Sequence, residues 1–141
     1  MIKNLKKEGK FSYFEIGEGK PIIILHGLMG GLSNFDSVTN HFSEKGYRVI
    51  LPELPIYTLP LLKTNVKNIA TYVRDFIVHM DLKDVVLLGN SLGGHIALLC
   101  AKLYPQHIHA LVITGSSGLY ESAMGESYPK RGDYEYIKNK A

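Results

Sequence analysis

Val85-Val86-Leu87-Leu88-Gly89-Asn90-Ser91-Leu92-Gly93-Gly94 is the stretch that decides the fold. Its four apolar residues in a row are expected of a strand covered on both faces. Helical composition resumes at Leu92 and continues to about Leu103, before Pro105. The G-x-S-x-G pattern therefore stands in a strand–turn–helix setting. Its spacing has a steric cause. Ser91, at the tip, takes a strained backbone conformation that crowds the residues two before and two after it. Gly89 and Gly93 have no Cβ to clash, so the turn can close. The serine hydroxyl is then held out over the sheet edge, with a helix N-terminus beneath it that favours developing negative charge.

The same alternation extends outward in both directions. Phe11–Ile16 has strand-like composition, and Pro21–Leu25 is a β-branched run suited to a buried strand. Ser33 or Asn34 is placed to cap a helix running to about Lys45, where Gly46 supplies a stop. Tyr47–Leu51 reads as a second buried strand, and Pro52, Pro55 and Pro60 mark the loop after it. A helix begins near Thr64: Val66, Ile69, Val73, Phe76, Ile77 and Met80 recur at helical steps. After the strand at Val85–Leu88, Ala110–Thr114 is a fourth. Strands alternating with helices imply an α/β fold, a largely parallel sheet with helices on both faces. From Gly115 to Ala141 no sustained apolar face remains. A structureless stretch of that length is an unusual way to end a domain, so a tail is less favoured than the entry to a larger fold.

Composition removes several classes. The chain has 141 residues, 16 basic and 13 acidic, for a net charge of +3. Residues 1–10 carry +3 and residues 130–141 carry +2, which leaves −2 for the body between them. Charge at the two ends reads as solvated tails rather than a phosphate-tracking face, so no nucleic-acid partner is expected. No apolar run approaches the length of a membrane span, and the lysine-rich start lacks the apolar segment of a signal peptide. Cys100 is the only cysteine, which excludes an internal disulfide framework and suits the cytoplasm. Its nearly all-apolar surroundings, Ile96–Ala101, mark it as a buried core thiol. No metal-ligand spacing exists. Gly17-Glu18-Gly19-Lys20 precedes a strand and lacks the remainder of a phosphate-binding loop, so no nucleotide is expected either.

A second motif follows the first buried strand: Leu25-His26-Gly27-Leu28-Met29-Gly30-Gly31. Acyl transfer needs two preorganised N–H donors where an oxyanion forms. A small-residue turn beside the elbow can supply one, and Leu92, after the serine, the other. His26-Gly27 after one strand, then helix, strand and helix, then the Gly89–Gly94 elbow resemble the α/β-hydrolase superfamily over roughly residues 11–118. The resemblance is to its serine-nucleophile, lipase/esterase-like branch, and to the amino-terminal portion only.

That resemblance implies Ser91 as nucleophile, the N–H groups of Leu28 and Leu92 as oxyanion hole, and His26, Gly27, Gly89 and Gly93 as residues shaping the loop and elbow. It implies a small-molecule substrate with an ester, thioester or similar carbonyl, and no metal or organic cofactor. It also implies an amino-terminal part of the core over 1–114 and the start of a cap region, or a tail, over 115–141. Alternatives are a carbon–carbon bond hydrolase, a cofactor-free haloperoxidase or perhydrolase, and a non-catalytic binding module. In this fold the acid and histidine follow the nucleophile. His95 lies one turn down the elbow helix, and His107 and His109 precede a strand at the far edge of the sheet. His41 and His79 read as helix surface groups, Glu53 as a solvated loop carboxylate, and Glu121 and Glu126 follow the last strand. The expectation is that base and acid lie beyond Ala141. The 141 residues alone would then be inactive, and a carboxyl-terminal half or a second chain would complete the sheet.

Overall fold

The structure, a computed structural model, describes residues 5–26, 35–56 and 65–115. Its centre is one six-stranded sheet in the order β1-β2-β4-β3-β5-β6. The strands are β1 (Lys6–Glu8), β2 (Phe11–Ile16), β3 (Lys20–Leu25), β4 (Tyr47–Pro52), β5 (Val85–Asn90) and β6 (Ile108–Thr114). β4, β3, β5 and β6 run parallel, while β2 pairs antiparallel with β4 and β1 antiparallel with β2. The sheet is therefore mostly parallel and mixed at one side.

Successive side chains on a strand point to opposite faces, and both faces are apolar in the central strands. Ile23, Leu25, Ile50, Val85 and Leu87 face α2 (Val66–His79) and α3 (Leu92–Leu103), packing with Ile69, Val73, Phe76, Ile96 and Ala97. Ile22, Ile24, Val49 and Leu51 face the other way, with Phe35 and with Val38 and Phe42 of α1 (Asp36–Glu44). Helices thus cover both faces, as the buried runs require.

Element ends differ from the sequence reading where caps decide them. α1 starts at Asp36 with Phe35 at its N-cap; Ser33 and Asn34 lie outside the described residues. It stops as expected at Gly46, whose φ of +91° few other residues tolerate. α2 is capped by Asn65, whose Oδ1 accepts the N–H of Asn68 at 2.8 Å. Because the bond pattern and not the apolar run sets strand ends, β5 extends two residues past Leu88 and β6 begins two before Ala110.

The amino-terminal residues were read as a solvated tail, and the structure corrects this. Lys6–Glu8 pairs with Phe11–Tyr13 across a turn in which Gly9 has φ +59°. All three β1 residues are exposed, so no apolar alternation announces the strand. Instead it is held by polar contacts. Lys6 and Arg48 both engage Glu15, at 2.6 and 2.8 Å, and Glu8 bonds Tyr13 and His79.

Candidate functional site

β5 delivers Ser91 to the carboxyl edge of the parallel strands. Ser91 sits there at φ 55°, ψ −120°, exposed, between the end of β5 and the first residue of α3. Its carbonyl accepts the N–H groups of Gly94 (3.0 Å) and His95 (3.3 Å), which starts the helix through the backbone. A serine at a helix N-cap ordinarily spends its hydroxyl on a backbone N–H. Here the side chain makes no capping bond, so the strained turn leaves Oγ uncommitted to the helix.

The crowding argued from the sequence is found at Gly89, while the need for glycine at 93 comes from the end of β3. A Cβ on Gly89 would lie 2.6 Å from the carbonyl carbon of Gly93. A Cβ on Gly93 would lie 2.6 Å from the carbonyl carbon of Leu25 and 2.9 Å from the carbonyl oxygen of His26. The second contact is with the neighbouring strand and not within the elbow. It lets the first turn of α3 sit directly on the end of β3, against the Leu25 and His26 backbone.

His26 adds a further tie. Its Nε2 accepts the N–H of Leu54, in the segment after β4, at 3.3 Å. That contact ties the ring to the backbone just past the end of β4. Gly27 and Leu28 lie outside the described residues. Leu92 is the first residue of α3, partly buried against the core, and its N–H belongs to the helix end where amides have no intrahelical acceptor.

The other titratable groups lie where the sequence put them. His95 is on α3, below the turn; His107 and His109 lie at the amino end of β6, the edge opposite Ser91. His41 is on α1, and His79, at the end of α2, is tied to Glu8 at 2.9 Å. Glu53 is exposed, with its N–H bonded to the Ser12 carbonyl, and Glu121 and Glu126 lie outside the described residues. Among the described residues, no three of His, Cys, Asp and Glu gather where a metal could bind, and no helix is long and apolar enough to cross a membrane. Cys100 is buried between α3 and α2, its Sγ 3.7 Å from the Ala70 carbonyl, and burial pushes its thiol pKa up to about 12. It is no nucleophile.

Two contacts between the end of β6 and the elbow escaped the sequence. Thr114, the last residue of β6, accepts the Ser91 N–H on its carbonyl (3.0 Å) and donates its hydroxyl to Asn90 Oδ1 (2.9 Å). Placing the end of β5 at Leu88 leaves Asn90 without a partner strand, so the pairing was not visible.

A mostly parallel sheet covered by helices, with a strained serine elbow at the carboxyl edge of its parallel strands, defines the class. A family model for the alpha/beta hydrolase fold matches residues 20–141, and the chain belongs to that family. It is 32% identical over 114 residues to a 2-hydroxy-6-oxo-6-phenylhexa-2,4-dienoate hydrolase of Comamonas testosteroni, an alignment covering 76% of this chain and 40% of that protein. Among solved structures it resembles an alpha/beta hydrolase enzyme from the metagenome of lagoon sediments at Mar Chica, Morocco. That similarity has 61% identity and a TM-score of 0.80, over 84% of this chain and 54% of the other. An esterase from Exiguobacterium antarcticum is similar at 27% identity and TM-score 0.69, over 77% and 42%. The chain thus spans about half, or less, of the length of these relatives.

Proposed function

We propose that the protein is a serine hydrolase that cleaves an ester, thioester or similar carbonyl substrate through an acyl-enzyme on Ser91. The observation that carries this reading is the Ser91 turn itself: a positive φ, two glycines packed where a Cβ cannot fit, and a hydroxyl that does not cap its own helix. Strain of this kind costs on the order of 1–3 kcal/mol and persists where the surrounding structure enforces it.

In the proposed reaction Ser91 Oγ attacks the carbonyl carbon while a histidine takes its proton. The oxyanion is held by the N–H groups of Leu28 and Leu92, the leaving group departs with the proton, and water then releases the acyl group. On this reading the base and its acid come from the part of the relatives' length that this chain does not span, as the order of nucleophile, acid and histidine in the fold implies.

The test is intact mass spectrometry before and after treatment with a fluorophosphonate, with the adduct mapped by peptide and Ser91→Ala as control. A single adduct on Ser91 is expected, and an unlabelled native protein overturns the reading. The Comamonas relative favours a second reading, hydrolysis of a carbon–carbon bond beside a ketone. Turnover of a 2-hydroxy-6-oxo dienoate, with p-nitrophenyl esters left nearly untouched, would select it.

A further inference from the structure

The end of β6 touches the elbow twice, and only one of the contacts depends on the identity of the residue. Asn90 and Thr114 are the last register pair of the β5–β6 ladder. Any residue at 114 would offer a carbonyl to the Ser91 N–H. The second contact, from Thr114 Oγ1 to Asn90 Oδ1 at 2.9 Å, needs a hydroxyl.

Asn90 precedes a helix by two residues. In that position an asparagine carboxamide tends to accept the backbone N–H two residues on, forming a local turn of its own. Two residues on is Leu92, whose N–H is the oxyanion donor in the reading above. An Asn90 side chain folded that way would fill the hole with its own oxygen. The Thr114 hydroxyl holds the carboxamide on the β6 side instead.

We infer that Thr114 is a positioning residue: by engaging Asn90 Oδ1 it keeps the Leu92 N–H open for the substrate oxyanion. This rests on the serine-hydrolase reading. It assigns a task to the Thr114–Asn90 side-chain hydrogen bond, which reaches the elbow from the neighbouring strand, and the task belongs to the transition state rather than to substrate binding.

Four variants of the full protein test it: Thr114→Val, Thr114→Ser, Asn90→Ala and the double variant Asn90→Ala with Thr114→Val. The readouts are the rate of Ser91 phosphonylation and steady-state hydrolysis of a p-nitrophenyl ester. Thr114→Val is expected to lower kcat about tenfold with KM little changed, less than the roughly hundredfold or more of losing an oxyanion donor outright. Thr114→Ser keeps the hydroxyl and recovers most of the rate. In the Asn90→Ala background there is no carboxamide left to restrain, so adding Thr114→Val should change nothing further.

An equal loss on adding Thr114→Val in both backgrounds overturns the inference, as does a Thr114→Val enzyme with native kcat. If Thr114→Val does not fold, a Thr114→Ser enzyme crippled in kcat overturns it as well. A native protein labelled on Ser91 but indifferent to Thr114 would sink this inference and leave the serine-hydrolase reading standing. A native protein that takes no label sinks both.

Discussion

Replacing Gly93 with alanine sets two rules against each other. Within a helix, alanine is favoured over glycine by about 1 kcal/mol. At this position the new Cβ would lie 2.6 Å from the carbonyl carbon of Leu25, which is backbone of a strand buried on both faces and has nowhere to retreat. Overpacking of that kind costs about 1–3 kcal/mol, which outweighs the helix term. Gly93→Ala is therefore expected to be the less stable protein, with a lower urea midpoint and slower labelling of Ser91. A midpoint at or above native would show that the contact between α3 and β3 yields easily. Only the Gly89 half of the glycine requirement was readable from the sequence, because it is local: Gly89 meets Gly93 four residues on, whereas Gly93 meets Leu25, 68 residues away. The Thr114 contact was not, because it joins residues 24 apart in the chain through a strand end that apolar runs alone do not locate.

At the scale of elements, β1 is held on the sheet by charge rather than by apolar burial, since all three of its residues are exposed. Partial burial raises the pKa of Glu15, but its hydrogen bonds to Lys6 and Arg48, and their positive charges, outweigh that and hold it below the usual carboxylate range. A carboxyl whose pKa is depressed on folding stabilises the fold fully above its unfolded value, about 4.3 for glutamate, and loses that contribution as pH falls through the lower folded value. Glu15→Gln should therefore be less stable than the native protein near neutrality, by an amount that salt reduces. The two urea midpoints should converge as pH falls below about 4.3, where the unfolded chain takes up the proton first, and on through the lower folded value. A gap that persisted unchanged into acid would mean that packing of the side chain, and not its charge, is what β1 depends on. The sequence concealed this strand for the same reason: exposed lysines and a glutamate carry no period-two apolar signal.

Across the whole molecule, the two-faced core was legible because Ile22 to Leu25 and Val85 to Leu88 are apolar at every position, and only a sheet covered on both sides buries all of them. The alternate residues then sort themselves between α1 on one side and α2 with α3 on the other. The antiparallel addition of β1 and β2 was not legible, since strand direction is set by pairing partners far apart in sequence. The same core supplies a reporter of its own integrity. Cys100 is the single thiol in the chain, 1% exposed, in the layer where α3 meets α2, and burial raises its pKa to about 12. A thiol reacts as its thiolate, and here burial disfavours the ionised form and shields the sulfur from reagent until α2 and α3 separate. That separation exposes Val73, Phe76, Ile96 and Ala97 together, so it is expected only on global unfolding. Modification of Cys100 by a disulfide reagent across a urea series should accordingly follow the loss of circular dichroism, with coincident midpoints and negligible reaction under native conditions. Rapid modification without denaturant would place α3 in a separate, weaker cooperative unit. Because α3 carries the elbow at its first turn, the position of Ser91 would then be only as fixed as that unit, and labelling of the serine should become sensitive to urea well before the sheet unfolds.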